Sequence, residues 1–355
     1  MKKLDISLPA VNFSQLRNDL HCFFSEFPVL FRNLFQCNEL IEYRGNYLDA
    51  LLELGIVSKV DDMWSSVYSI YEFEQQYFVA DSFLLAQTER VFPLSKDESL
   101  FLARKIDVKN GEKVLDIGTG SGIYAIIAAK MAASVVAIDI NDKALNYAQF
   151  NALLNNVADK IEFISSDVFS NIDNIKFNLI ISNPAIIPTA EGSAFYIHSD
   201  GGIDGTRMAF RILENFHNFL EPNGRLQILA TSFLFNTGLP VIEEFIKCLY
   251  ADKEYHFTIQ ELYKPRLDSL SSLTNNFSKT PNYKKFVSYF DDKGYSSLCY
   301  LYLIAQPGPF GISKSERVEE FELTKYNGSW KGRLARLFMV YDKIVNRKIT
   351  KKALQ

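Results

Sequence analysis

One acidic residue and three glycines form the pattern with the clearest chemistry in this chain. An apolar run over 114–117 predicts a buried parallel strand, Asp116 lies near its end, and a helical pattern begins at Ile123. Glycines occupy alternate positions in between: Gly118, Gly120 and Gly122. Such a turn lets the backbone reverse sharply and lets a ligand come close to a helix amino terminus. The third glycine falls one residue too early for the nicotinamide fingerprint, and the carboxylate suits a cationic, amine-bearing ligand better than a pyrophosphate.

Two further acids follow predicted strands, and their positions suit a nucleoside. Asp139 ends the second apolar run, where a carboxylate can accept hydrogen bonds from both hydroxyls of a ribose. Asp167 and Val168 follow the third run, over 161–165. Because parallel strands present their carboxyl ends at one edge of a sheet, we expect these acids to lie near Asp116.

The acid-x-Gly-x-Gly-x-Gly run that begins at Asp116 resembles the first motif of the class I S-adenosylmethionine (SAM) methyltransferases. The resemblance implies SAM as the cofactor, with Asp116 anchoring its methionine amine directly or through water. The three glycines would lie against the methionine part, and Asp139 would bind the ribose. Asp167 would take the adenine amino group, with the backbone amide of Val168 facing the ring.

A fourth predicted strand, over 177–182, ends in Asn183 and Pro184. This end resembles the Asn-Pro-Pro-Tyr/Phe motif of methyltransferases that modify planar nitrogens, such as glutamine side chains in release factors and exocyclic amines of nucleobases. In that family the Asn oxygen and the following backbone carbonyl accept hydrogen bonds from the target NH₂, which aims the nitrogen at the methyl group. Here Ala185 and Ile186 replace the second proline and the aromatic ring.

The loop after this motif offers substitutes for the missing ring. Phe195 or Tyr196 would stack on a planar target, and His198 is a candidate proton acceptor. The stretch 198–205 resembles the Asp-Gly-Gly-x-x-Gly segment of release-factor-type relatives, although capping of a following helix explains it equally well. The reaction would be an in-line displacement in which positioning and exclusion of water contribute most.

The elements around these residues predict an α/β fold. Alternation of strands and helices over 106–310 predicts a seven-stranded Rossmann-like sheet that forms the SAM-binding domain. The predicted strands are 112–117, 134–139, 161–165, 177–182, 224–231, 255–262 and 296–305. The predicted helices are 122–132, 142–155, 203–219 and 238–250. A polar insertion over 263–294 separates the last two strands.

Residues 1–105 predict a separate, mainly helical domain that resembles a winged-helix module. The segment 16–35 is dense in Phe and Leu, and 38–54 carries apolar residues at helical spacing up to a stop at Gly55. Alternating aromatic residues over 65–79 predict a hairpin. Such a domain would select substrate, close as a lid or form a homodimer contact. A packing role without chemistry is an equal alternative.

Residues 311–355 form a basic extension with apolar residues at helical spacing over 334–345. An amphipathic helix of this kind would contact RNA, an acidic partner or a membrane surface, and a terminal helix docked on the body is the simpler interpretation.

Bulk composition narrows the protein class. The chain has 355 residues and a net charge of −4, which does not indicate a general nucleic-acid binder. Its 4 cysteines are far apart without a C-x-x-C pair, so neither a metal site nor a disulfide framework is predicted. These features and the absence of a signal-like or membrane-spanning apolar run predict a cytoplasmic protein.

We therefore predict a SAM-dependent methyltransferase that acts on a nitrogen, or another nucleophile, of a small molecule or peptide. Two alternatives stay open. In the first, the SAM amine attacks its own side chain to form an azetidine-2-carboxylate ring with release of methylthioadenosine, and aromatic residues hold the sulfonium. In the second, the chain is an RNA- or partner-binding protein with a secondary SAM site.

Overall fold

Two compact units make up the chain. They are Met1–Asn183 with Asn215–Gln227, and Pro184–Glu214 with Ile228–Gln355. The computed structural model describes residues 12–82, 87–92, 94, 98–172, 175–186, 197–263, 288–289 and 292–315. Across these ranges no helix is long and apolar enough to cross a membrane. The predicted basic helix over 334–345 and most of the insertion over 263–294 lie outside the described residues.

The first part of the first unit combines short helices with two small sheets. Its elements are α1 (Phe13–Glu26), α2 (Pro28–Phe31), β1 (Ile41–Glu42), α3 (Asp49–Glu53), β2 (Val57–Val60), β3 (Met63–Ser66), β4 (Tyr68–Phe73) and β5 (Gln76–Asp81). One sheet has the order β1-β3-β2, and the other is the hairpin β4-β5, which confirms the predicted hairpin. The helical spacing over 38–54 is misleading before Asp49, because Ile41 instead pairs with Trp64 across β1 and β3.

An aromatic cluster holds this part together. Leu16, Leu20 and Phe23 lie on one face of α1, and all three are buried. The Phe23 ring centroid is 4.9 Å from that of Tyr43 and 6.2 Å from that of Phe31, in edge or tilted contacts that aromatic pairs favour. The cluster continues into the sheet-bearing part of the same unit through the buried side chains Tyr147, Phe150 and Leu154.

The remaining elements carry the sheet that the sequence predicts. They are α4 (Glu98–Lys105), β6 (Lys113–Ile117), α5 (Ile123–Ala129), β7 (Ser134–Asp139), α6 (Asp142–Leu154), β8 (Ile161–Ser165), β9 (Phe177–Ser182), α7 (Arg207–Asn215), β10 (Leu220–Phe235), α8 (Val241–Tyr250), β11 (Tyr255–Tyr263), β12 (Tyr295–Pro307) and β13 (Gly311–Ser315). Strands β7, β8 and β9 have the predicted bounds. Strand β10 is longer than predicted at both ends.

The large sheet is mixed and has eight strands, in the order β13-β11-β12-β10-β9-β6-β7-β8. Within the first unit β9, β6, β7 and β8 are parallel. Within the second unit β11 and β12 form the predicted antiparallel pair, and β13 adds parallel to β11. The predicted count of seven omitted β13, because its polar sequence Gly-Ile-Ser-Lys-Ser carries no clear strand signal before its partner is known.

Candidate functional site

The first acid of the glycine motif lies at the carboxyl end of β6. Asp116 is fully buried, and its Oδ2 accepts hydrogen bonds from the Thr119 hydroxyl at 2.7 Å and from the Ala125 backbone N–H at 3.1 Å. Its Oδ1 is buried without a hydrogen-bond partner among the described residues. Burial raises the pKa of Asp116 to about 7, because the charged form is poorly solvated there. A carboxylate with one unpaired buried oxygen is chemically suited to a cationic donor such as an amine.

The turn between β6 and α5 adopts a left-handed backbone at each glycine. The φ angles are +71° at Gly118, +55° at Gly120 and +85° at Gly122. A Cβ added at Gly122 would lie 3.0 Å from the Cα of Ala148 on α6, whereas one added at Gly118 meets nothing within 4 Å. Gly122 thus allows close helix packing, and Gly118 borders open space that a ligand can fill.

The second acid lies at the end of β7, beside this turn. The Gly120 N–H donates to Asp139 Oδ2 at 2.9 Å, and the Asn141 N–H donates to Asp139 Oδ1 at 2.9 Å. Burial raises the pKa of the Asp139 carboxyl, and the backbone donors offset part of that rise. Ile140 adds a third backbone contact, and a carboxylate has about four lone-pair sites, so Asp139 can still accept a hydroxyl donor.

The third acid, Asp167, lies in the loop after β8. This loop is hydrogen-bonded to the second acid, Asp139. The Ser166 N–H donates to the Asp139 carbonyl at 3.0 Å, and the half-buried Asp167 follows. Val168 has a φ of +55°, and its carbonyl accepts from the Ser166 hydroxyl at 2.9 Å. A β-branched residue with positive φ costs about 1–3 kcal/mol, and such strain concentrates at ligand-binding loops.

The predicted catalytic asparagine lies at the same sheet edge. Ser182 of β9 pairs with Ile117 of β6, so Asn183 follows directly at the level where the glycine turn begins. The Asn183 side-chain Nδ2 donates to the phenol oxygen of Tyr124 at 3.0 Å. Tyr124 is only 3% exposed, in the first turn of α5. With its nitrogen held in this way, the Asn183 amide presents its oxygen elsewhere as an acceptor.

For two predicted catalytic residues, Pro184 and Tyr196, the described part of the chain gives no contact with this arrangement. Pro184 is buried and begins the second unit, where the Ile186 carbonyl accepts from the Thr231 hydroxyl at 3.0 Å. Tyr196 lies outside the described residues. Its role and that of Pro184 remain predictions from the motif.

Two residues of this arrangement, Asn141 and Tyr124, are not among the site residues that the sequence predicts. Asn141 caps α6, donates its N–H to Asp139 and donates its side-chain Nδ2 to the Glu89 carbonyl at 3.0 Å. An asparagine just before an acidic first helical turn is a capping signal that could have identified it. Tyr124 had no such signal, because its partner Asn183 is 59 positions away in the sequence.

A model of the methyltransferase small domain family matches residues 96–261. A provisionally named protein N5-glutamine methyltransferase of Methanocaldococcus jannaschii is 40% identical over 147 residues, which are 40% of this chain and 73% of that protein. A bifunctional methyltransferase of Rickettsia conorii is 35% identical over 162 residues, 42% of this chain and 29% of that protein. A release factor glutamine methyltransferase of Flavobacterium psychrophilum is 48% identical over 90 residues, 24% of this chain and 31% of that protein. The chain thus spans less than a third of the last two relatives.

Proposed function

The chain belongs to the methyltransferase small domain family, and we propose on that premise that it transfers a methyl group from SAM to the side-chain nitrogen of a glutamine in a protein or peptide. Membership of the family confirms the predicted resemblance and SAM as the cofactor. The names of the relatives support glutamine as the acceptor, and a release factor is the substrate that one of these names prints.

A single structural observation carries the proposal. Asp116, whose Oδ1 has no partner among the described residues, and Asn183, with its amide nitrogen engaged, lie at the carboxyl ends of neighbouring strands. The first group suits the ammonium of an amino acid, and the second suits an NH₂ group that donates hydrogen bonds. An enzyme that transfers the methyl group of SAM to an amide nitrogen, with release of S-adenosylhomocysteine, must hold SAM and the amide close together, as two such groups at one sheet edge would do.

In this proposal each predicted site residue has one task. SAM supplies an electrophilic methyl group on a positively charged sulfur. Asp116 binds the amine, Asp139 binds the ribose, and the Asp167–Val168 loop contacts the adenine. The glycine turn gives the methionine part room, as the open space at Gly118 allows. Asn183, with the following backbone carbonyl, accepts hydrogen bonds from the target NH₂ and so directs its lone pair; Pro184 would fix that carbonyl, and Tyr196 would stack on the amide plane.

Finer assignments belong to the same proposal. We assign the winged-helix type to the amino-terminal part, because α1, α2, β1, α3, β2 and β3 follow in that order and the sheet order is β1-β3-β2. Seven strands would form the methyltransferase core, with β13 as an addition. The domain division at 105 and 310, the homodimer and the basic helix as a partner contact stay predictions. The release factor that one relative's name prints as substrate supports action in the cytoplasm.

Mass spectrometry of the purified protein tests the reaction. We expect no product with SAM alone, and S-adenosylhomocysteine with a bacterial extract, together with N-methylglutamine in protein when SAM carries an isotopically labelled methyl group. Asn183→Ala should bind SAM normally and lose turnover. Methylthioadenosine formed without an acceptor would overturn methyl transfer in favour of SAM cyclisation, an alternative that none of the relatives reported above supports. Salt-dependent RNA binding without turnover would indicate the binding-protein alternative.

A further inference from the structure

The Asn183 amide makes a contact that its own motif does not supply. Its Nδ2 donates to the phenol oxygen of Tyr124 at 3.0 Å, and Tyr124 lies almost entirely inside the protein. Ser99 of α4 is a second hydrogen-bond partner of the same phenol. Burial raises the pKa of Tyr124, so the phenol stays neutral throughout the physiological range.

The orientation of an asparagine amide decides what it can bind. Its oxygen accepts hydrogen bonds and its NH₂ donates them, and a rotation of 180° exchanges the two. A target NH₂ is a donor and therefore requires the asparagine oxygen as its acceptor. The rotated amide would present its own NH₂ instead, and two donors cannot form a hydrogen bond with each other. In the structure the phenol oxygen accepts from the Asn183 Nδ2, which favours the amide rotamer with its nitrogen toward Tyr124.

The position of Tyr124 is fixed by the cofactor side of the site. Tyr124 is the second residue of α5, and the next residue, Ala125, donates its N–H to Asp116. The same helical turn therefore contacts the carboxylate predicted to bind the SAM amine and the amide predicted to bind the acceptor.

We propose that Tyr124 is a positioning residue that holds the Asn183 side chain with its oxygen toward the acceptor nitrogen. The inference rests on the proposed methyl transfer. It predicts a specific defect: an enzyme without the Tyr124 hydroxyl binds SAM normally but leaves the Asn183 amide free to rotate.

Kinetics of three variants test this role, with incorporation of isotopically labelled methyl groups from SAM into protein of a bacterial extract as the assay. Tyr124→Phe keeps the ring and removes the neutral hydrogen bond to Asn183 together with the contact to Ser99, so we expect turnover to fall about fivefold to tenfold while the SAM dissociation constant stays within about twofold. Asn183→Ala should lose about a hundredfold or more, and Tyr124→Phe combined with Asn183→Ala should lose no more than Asn183→Ala alone. Normal turnover of Tyr124→Phe, or additive losses in the double variant, would overturn the role.

Tyr77→Phe is the matched control. Tyr77 is also buried, and its hydroxyl hydrogen-bonds to His21 at 3.2 Å, away from the predicted site. This variant loses a similar bond and should keep full turnover. An equal loss in both variants would mean that Tyr124 acts only through general stability.

A spectroscopic measurement keeps the test independent of the acceptor. In protein labelled with ¹⁵N at asparagine, the side-chain NH₂ signal that disappears in Asn183→Ala belongs to Asn183. We expect two distinct, slowly exchanging amide protons in the wild type, and a shifted, faster-exchanging pair in Tyr124→Phe. An unchanged signal would refute the contact even if methyl transfer were established. A changed signal in an inactive wild type would leave the contact standing and overturn only the proposed reaction.

Discussion

Strands β6 and β7 each carry an acid at their carboxyl end, the buried Asp116 and the half-buried Asp139, and the two acids are satisfied differently. Asp116 accepts two hydrogen bonds on Oδ2 and none on Oδ1 among the described residues. Asp139 accepts backbone N–H groups on both oxygens, from Gly120 and Asn141, and has a further backbone contact from Ile140. Burial raises the pKa of both carboxyls. The protein thus stabilises the charge at Asp139 with fixed dipoles and leaves part of the charge at Asp116 uncompensated.

This difference suggests a division of labour between the two turns. A buried carboxylate with few hydrogen-bond donors is stabilised most by a bound cation, because the ligand then supplies the opposite charge that the protein lacks at this position. A carboxylate that already accepts backbone hydrogen bonds contributes less binding free energy to neutral hydroxyls, and its main effect is to stabilise the turn. Neutral replacements of the two acids should therefore change stability in opposite directions.

Replacing the β6 acid should produce the largest effect on the cofactor. In Asp116→Asn we expect SAM affinity to fall about a hundredfold, because a buried charged pair is lost. The free protein should become more stable by about 2 kcal/mol above pH 7, since a buried charge is removed. The pKa of Asp116 is raised on folding, so the wild type loses stability as the pH rises from about 4 to about 7, and the gain should vanish near pH 4. Calorimetric titration and thermal unfolding at both pH values measure the two effects.

Replacing the β7 acid should weaken SAM less and destabilise the protein. In Asp139→Asn the amide NH₂ must face a backbone donor, which costs about 1–2 kcal/mol of folding free energy and outweighs the gain from removing a charge that burial disfavours. We expect SAM affinity to fall about tenfold, the equivalent of one good hydrogen bond to a ribose hydroxyl. The same two measurements apply. A stability gain in Asp139→Asn, or a loss in Asp116→Asn, would break the comparison, and unchanged SAM binding in Asp139→Asn would refute the ribose assignment.

The number of protons released when SAM binds can show whether Asp116 is the group that ionises. Because the pKa of Asp116 is about 7, more than half of this carboxyl is protonated at pH 6.5, and an ammonium ligand requires the ionised form. SAM binding at pH 6.5 should release about half a proton or more, and the release should shrink toward pH 8. Calorimetry in buffers with different ionisation enthalpies measures it. Asp116→Asn should abolish the release, and a release that persists would have to come from another group.

The smallest effect is expected from a methyl group added in the turn. In Gly118→Ala the left-handed φ costs about 1 kcal/mol, and the new Cβ projects into space that is open in the protein and is predicted to hold SAM. We expect SAM affinity to fall a few-fold to tenfold. Gly111→Ala is the control, because Gly111 has a φ of +81° with nothing within 4 Å and lies before β6, at the opposite end of that strand. Equal SAM affinity in both variants would contradict a ligand over Gly118.

The sequence alone predicted much of the frame of the site. Strand and helix periodicity placed β7, β8 and β9 to the residue, and an acid at a strand end followed by alternate glycines indicated the cofactor edge. These features are local, because one strand, one turn and one helix start contain the whole signal. The aromatic run over 65–79 predicted its hairpin for the same reason.

Contacts between distant segments could not be predicted in that way. The helical spacing before Asp49 was outweighed by pairing of Ile41 with Trp64, and β13 is a strand only because β11 offers it an edge.

Only the tertiary structure decided how the acids and the amide are satisfied. A sequence shows that Asp116, Asp139 and Asn183 follow strands, but not which oxygen keeps an unpaired side or which hydroxyl meets the amide. These outcomes depend on the packing of α5 against the strand ends, where Tyr124 meets a residue 59 positions away. Patterns of residue type therefore predicted the α/β fold and indicated a cofactor edge, while hydrogen-bond geometry, which depends on tenths of an ångström, was set by the folded protein.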